Sequence, residues 1–230
     1  NDGLRMQNAG VMIISQSGAS EDFVRSAEAA HANGASVCAI TNVPGSAVEE
    51  AAHTTLSINA GAERAVPATK TVIGSIAAGM NLLASLSPAY ANAADRAAQL
   101  FPSDVELPML DNMVSGLLRA QNVYVIGRGA GLGAAQEVAL KLKECCALHA
   151  EAYSASEVLH GPLQLVTKPL TVVILDTEEA ATQDSLDRAE DRFTQSGSDV
   201  YRLRTSDFGV DNLAPTAAAA LLIYALYTTI

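Results

Sequence analysis

Short runs rich in β-branched residues alternate with longer alanine-rich stretches, and this alternation limits the possible folds more than any other feature of the chain. Val11–Ile14, Ser36–Ile40, Thr54–Ile58, Asn122–Ile126, Leu170–Leu175 and Val200–Leu203 read as strands. Between and after them, Ser20–Ala32, Ala47–Ala52, Thr69–Ser85 and Leu107–Arg119 read as helices. In the first helix Phe23, Val24, Ala27 and Ala30 share one face. Further helices are expected from the glycine turn at Gly127–Gly133 to about Ala147, near Ser154–Leu159, and over the acidic amphipathic stretch Glu178–Gln195. Strands joined through helices pair in parallel by right-handed crossovers. Two successive sets predict an α/β protein of two similar doubly wound parallel-sheet subdomains, residues 1–90 and 91–230. The irregular stretch Ser87–Pro108, with Pro88, Pro102 and Pro108, is the expected connection, with room for a helix of its own.

Composition excludes several classes. Aromatic residues make up 4% and tryptophan is absent, which disfavours an aromatic-rich β-sandwich. A net charge of −11, with no clustered Lys or Arg, argues against a nucleic-acid surface. A local anion site remains open, because backbone amides can make a site electropositive in an acidic chain. Cys38, Cys145 and Cys146 have no paired spacing and read as thiols in a reducing compartment. No apolar run is long enough to span a bilayer; Ala214–Ile230, with Pro215 in its first turn, reads as a core helix. The expectation is a soluble, cytoplasmic protein that neither inserts into a membrane nor binds nucleic acid.

Ligands of open α/β sheets bind beyond the carboxyl ends of the strands. Ser15-Gln16-Ser17-Gly18-Ala19-Ser20 lies at such an end and opens a helix. A single serine there would serve as an N-cap. Ser15, Gln16, Ser17 and Ser20 together offer more donors than a cap needs and point to phosphate. The second glycine turn, Gly129-x-Gly131-x-x-Ala134, fits a loose dinucleotide fingerprint with Glu151 about twenty residues on. The segment Leu148–Tyr153 lacks the buried apolar strand that should present such an acid, so a turn packing sheet against helix, or one touching a sugar phosphate, is the better reading. Lys141 and Glu144, three apart on one helix face, read as a solvated ion pair or as a proton-transfer set with His160. His149, Glu151 and His160 have no recognisable metal-ligand spacing.

The segments SQSGAS, TNVPGS, NAGAERAVPATK, ALKLKE and HAEAYSASEVLHGP, in this order, resemble the tandem sugar isomerase (SIS) domain family. The chain looks most like the isomerase half of glucosamine-6-phosphate synthase and stand-alone SIS-type deaminases. The resemblance implies flavodoxin-like subdomains, a homodimer, no metal and no redox cofactor. It implies a sugar phosphate, of the hexosamine 6-phosphate class, held by Ser15, Gln16, Ser17 and Ser20, with Val66 and Thr69 on a second wall. It implies catalysis by Glu144, shuttling a proton between C1 and C2, with Lys141 as its neighbour. His160 would open the sugar ring from across the dimer interface. The expected reaction is glucosamine 6-phosphate to fructose 6-phosphate and ammonia. Alternatives are a fructosamine-6-phosphate deglycase, another ketosamine-phosphate isomerase, or a non-catalytic sugar-phosphate sensor. Against the family pattern, a glutaminase domain, the first unit's opening strand and helix, and the C-terminal tail with its lysine are expected to be missing from these 230 residues.

Overall fold

A computed structural model describes residues 5–101, 105–107 and 109–227. The chain forms two compact units, Asn1–Ser87 and Pro88–Ile230.

The first unit is a parallel sheet of β1 (Gly10–Ser15), β2 (Ser36–Thr41) and β3 (Thr54–Ser57), in that order. The strands follow the β-branched runs because side chains alternate across a strand and both faces can be covered by helices. On one face Ile13, Val37 and Ala39 pack with Ala27 and Ala30 of α1 (Glu21–Ala32) and Val48 of α2 (Ala47–Glu50). On the other, Ile40 and Ile58 pack with Ala78 of α3 (Lys70–Leu86). Phe23 departs from the expected helix face: it is 43% exposed, and the small Ala27 and Ala30 make the close approach to the sheet instead.

The second unit holds β4 (Asn122–Gly127), β5 (His149–Ser154), β6 (Thr171–Asp176) and β7 (Asp199–Arg204), all parallel, in the order β5-β4-β6-β7. Tyr124, Ile126, Val172 and Ile174 face Leu186, Ala189 and Phe193 of α7 (Gln183–Gln195). On the opposite face α6 (Ala130–Cys146) lies against β4, β5, β6 and α8 (Pro215–Tyr227). The connecting stretch does contain a helix, α4 (Pro88–Leu100), and α5 (Leu110–Arg119) precedes β4; Pro102 and Pro108 lie outside the described residues. No helix among the described residues is long and apolar enough to cross a membrane.

Three further expectations are corrected. Leu148–Tyr153, expected to lack a strand, supplies β5; as an edge strand it pairs only with β4, so it needs no continuous apolar run. The helix expected near Ser154–Leu159 is a series of turns followed by a 3-10 turn at Pro162–Leu165, with Pro162 at its start. The acidic helix also starts later than Glu178, because Glu178 has φ +59° and its carboxylate bonds to Thr205 and Ser206.

Candidate active site

In the first unit the end of β1 turns sharply at Gly18, whose φ is +61°. A Cβ there would stand 2.0 Å from Ser46 Oγ, so only glycine fits. The turn is shaped from within. Gly18 N–H donates to Ser15 Oγ at 3.1 Å, and Ala19 N–H donates to Ser17 Oγ at 3.3 Å. It is also tied to its neighbours: Asn42 N–H donates to Gln16 O at 3.1 Å and Val48 N–H to Gly18 O at 2.9 Å. The Ser15 and Ser17 oxygens act as acceptors here, which leaves their O–H groups able to donate elsewhere. Ser15 is buried, whereas Gln16, Ser17 and Ser20 are exposed. Ser20 occupies the N-cap position of α1 without a side-chain cap bond, so its hydroxyl is not spent on the helix. The first turn also bears Glu21 and Asp22, with Glu21 paired to Arg25. The Ser46 hydroxyl beneath Gly18 is buried with no hydrogen-bond partner among the described residues. Thr69 lies half-buried at the start of α3, and Val66 is 96% exposed in the loop before it.

In the second unit α6 brings Lys141 and Glu144 together. Lys141 is only 3% exposed, and its Nζ donates to Glu144 Oε2 at 2.5 Å. Its Nζ also stands 3.5 Å from Glu137 Oε1, which accepts the Tyr227 hydroxyl at 2.6 Å. Burial disfavours the Lys141 ammonium, but hydrogen bonds and charge from Glu144 and Glu137 outweigh it and raise its pKa. Lys141 therefore holds a full positive charge between two carboxylates. Glu137 and Tyr227 were missed in the sequence. Glu137 carried a usable signal, four residues before Lys141 on the same face; Tyr227 comes from a helix far along the chain and carried none. His160 is exposed at the end of the turns that follow β5.

The glycine turn between β4 and α6 is a packing device. A Cβ on Gly127 would lie 2.1 Å from Gly131 O, and one on Gly131 would lie 2.7 Å from Leu175 O. Glu151 sits in the middle of β5, opposite Tyr124, rather than at the strand end where a ribose would meet it. His149 starts β5 and bonds Asn122 Oδ1, while His160 lies beyond the strand's other end. Among the described residues no three His, Cys, Asp or Glu side chains group as metal ligands.

The corresponding strand end in this unit is chemically inverted. Ser15 pairs in register with Thr41, and Asp176 with Arg204, at the ends of equivalent β–α–β turns. Where the first unit presents hydroxyls, the second presents Asp176, Glu178 and Glu179. Asp176 accepts from Glu178 N, Gln183 and Arg202, and Glu178 accepts from Thr205 and Ser206. Glu179 Oε1 accepts from Thr177 Oγ1 at 3.0 Å and from Ala130 N, at the start of α6, at 3.3 Å. This unit supplies its own anions to its own donors.

The chain is similar in sequence and fold to known proteins. Isomerizing glutamine–fructose-6-phosphate aminotransferase of Sulfurisphaera tokodaii is 33% identical over 171 residues, covering 74% of this chain and 29% of the relative. That of Halobacterium salinarum is 35% identical over 211 residues, covering 86% and 35%. The chain thus spans about a third of the length of the curated relatives it matches. A solved structure described as a phosphosugar isomerase of Silicibacter pomeroyi superposes with a TM-score of 0.78 at 27% identity, covering 98% of this chain and 72% of the other. The C-terminal domain of glucosamine–fructose-6-phosphate aminotransferase from Francisella tularensis shares the fold, with a TM-score of 0.72 at 23% identity, over 100% of this chain and 73% of the other. The family model described as the SIS domain matches residues 6–85 and 116–201, more than half of the sequence, and the chain belongs to that family.

Proposed function

We propose that the chain carries the phosphosugar isomerase chemistry of its family, acting on a hexosamine 6-phosphate. The observation that carries this reading is the Lys141–Glu144 pair: a buried ammonium fixes one carboxylate oxygen, in a chain whose first unit ends β1 in a turn rich in hydroxyl and amide donors. A positioned carboxylate can move a proton between adjacent carbons unaided.

The substrate phosphate binds the Ser15–Ser20 turn and the free amides at the start of α1. His160, contributed across a homodimer interface, assists ring opening. Glu144 takes the proton from C2 of the open-chain aldose, giving a cis-enolamine, and returns it to C1. Water then adds to the resulting C2 imine and ammonia leaves, yielding fructose 6-phosphate. Val66 and Thr69 form a second wall of the site.

The test is ammonia release from glucosamine 6-phosphate, galactosamine 6-phosphate and a fructosamine 6-phosphate. Release from the first is expected. Release from the last alone would identify a deglycase, and release from none would leave a sugar-phosphate sensor. Glu144→Gln should abolish turnover while sugar-phosphate affinity stays nearly unchanged; turnover retained in that variant would remove Glu144 from its role.

A further inference from the structure

The loop from Ala60 to Thr71 is pinned at both ends by groups that the proton-transfer scheme does not use. At its start the Asn42 side chain clasps the backbone: Ala60 N–H donates to Asn42 Oδ1 at 2.9 Å, and Asn42 Nδ2 donates to Gly61 O at 2.7 Å. The same residue's backbone N–H holds Gln16 O of the serine turn, so one asparagine joins both segments at the carboxyl end of the sheet. At the far end one oxygen of Glu63 takes three hydrogen bonds. Thr69 N–H, Thr71 N–H and Thr71 Oγ1 donate to Glu63 Oε2 at 3.3, 3.0 and 2.8 Å. Lys70 Nζ closes the same turn on Ala62 O at 2.6 Å.

The consequence is a short loop with both feet fixed and an apolar tip. Val66 stands 96% exposed between two segments whose backbones cannot drift. Glu63 satisfies the amides that open α3, so that helix start attracts no anion of its own. Burial pushes the Glu63 carboxyl up, but the bonds from Thr71 and Thr69 and the charge of Lys70 outweigh it and leave it below the ordinary carboxylate range. Above that range the clasp stays ionised.

We propose that Glu63 is a positioning residue of the substrate site: by pinning Thr69 and Thr71 it fixes the loop that sets Val66 and Thr69 against the sugar, while leaving the phosphate anchor to the serine turn. This rests on the reading of the Ser15–Ser20 turn and the Val66–Thr69 segment as two walls of one sugar-phosphate site. Sugar and phosphate are therefore held by separate clasps, and Glu63 belongs to the sugar's.

The experiment compares wild type, Glu63→Ala and Glu63→Gln, using two probes with each: glucosamine 6-phosphate, and inorganic phosphate followed through the Ser15–Ser20 amide resonances. Loss of the clasp should weaken glucosamine 6-phosphate binding, and raise its KM, about tenfold in Glu63→Ala, by misplacing a wall remote from the reacting carbons. Phosphate-induced shifts of the Ser15–Ser20 amides should be unchanged. Glu63→Gln keeps an acceptor oxygen and should recover to within about threefold of wild type. Unchanged sugar-phosphate affinity in Glu63→Ala would overturn the proposal. So would an equal loss of inorganic phosphate binding, which would make Glu63 a general support of the unit. If wild type itself fails to bind glucosamine 6-phosphate, the substrate assignment falls, which is a distinct outcome.

Discussion

Replacing Lys141 by Met tests whether the carboxylate–ammonium–carboxylate row on α6 is held by charge or only by packing. Methionine keeps most of the aliphatic volume, so the core around α6, β4 and α8 stays filled. The charge does not survive. The Lys141 side chain is 4% exposed, and those of Glu137 and Glu144 are 15% and 33% exposed. Without the ammonium, Glu137 keeps only the Tyr227 hydroxyl among the contacts described above, and Glu144 loses its 2.5 Å donor. Breaking a fully buried pair costs about 3–5 kcal/mol; the one-third exposure of Glu144 lets solvent screen part of that, so about 2–4 kcal/mol is expected. In a unit of this size the melting point should fall by about 6–12 °C. The pH dependence supplies the sign. The Lys141 pKa is raised in the folded chain, so its contribution is complete below the unfolded lysine value of about 10.4 and is lost as pH rises through the folded value. Urea unfolding of wild type and Lys141→Met should therefore differ most near pH 8 and converge only as pH climbs above the unfolded lysine value. A gap under about 1 kcal/mol at pH 8 would refute the charge argument, as would one that does not narrow in alkali.

Two further outcomes test the scaffold of each unit. Gly18→Ala forces a side chain into a φ of +61° and into Ser46 Oγ; it should cost about 1–2 kcal/mol from the backbone alone and abolish phosphate-induced shifts of the Ser15–Ser20 amides, with Gly18→Ala/Ser46→Gly recovering part of the stability but not the backbone cost. Arg202→Leu leaves the fully buried Asp176 with Arg204 Nε, at 3.5 Å, as its remaining guanidinium partner and should cost about 2–4 kcal/mol by urea unfolding, with ammonia release falling only as far as the unfolded fraction rises.

Six of the seven strands among the described residues were legible from their β-branched runs, most plainly β6, whose six residues are all buried. The exception shows the rule. His149–Ser154 has Ala150 and Ser154 as its buried residues and contains no Val, Ile or Thr, so it carries no β-branched run to read. The serine turn was legible for a similar reason: four donors in six residues exceed what capping needs, and the cap that would have explained them is not formed by Ser20. Glu63 was not legible. An acid six to eight residues ahead of the amides it serves reaches them only because the loop folds back, and neither helical nor strand spacing encodes that return.

The two similar sheets differ in what they offer an anion at matching strand ends. A strand end facing helix N-termini gathers unsatisfied amides in both units, and each set must find acceptors. The second unit finds them internally: Glu179 reaches Ala130 N, Glu178 reaches Ser206 N, and Asp176 holds Arg202. The first unit carries Ser15, Ser17 and Gly18 at the positions matching Asp176, Glu178 and Glu179, none of them charged. In the first unit Glu49 is engaged one strand over, by Thr41 Oγ1 and Gly45 N, and none of Ser15, Gln16 or Ser17 carries charge, whereas in the second unit a phosphate would have to displace Asp176, Glu178 and Glu179 from bonds already made. Exchange of three or four side chains at one strand end is thus enough to make one copy of a repeated unit a candidate binding site and the other a closed scaffold, freeing α6 of the second copy to carry the Lys141–Glu144 pair instead.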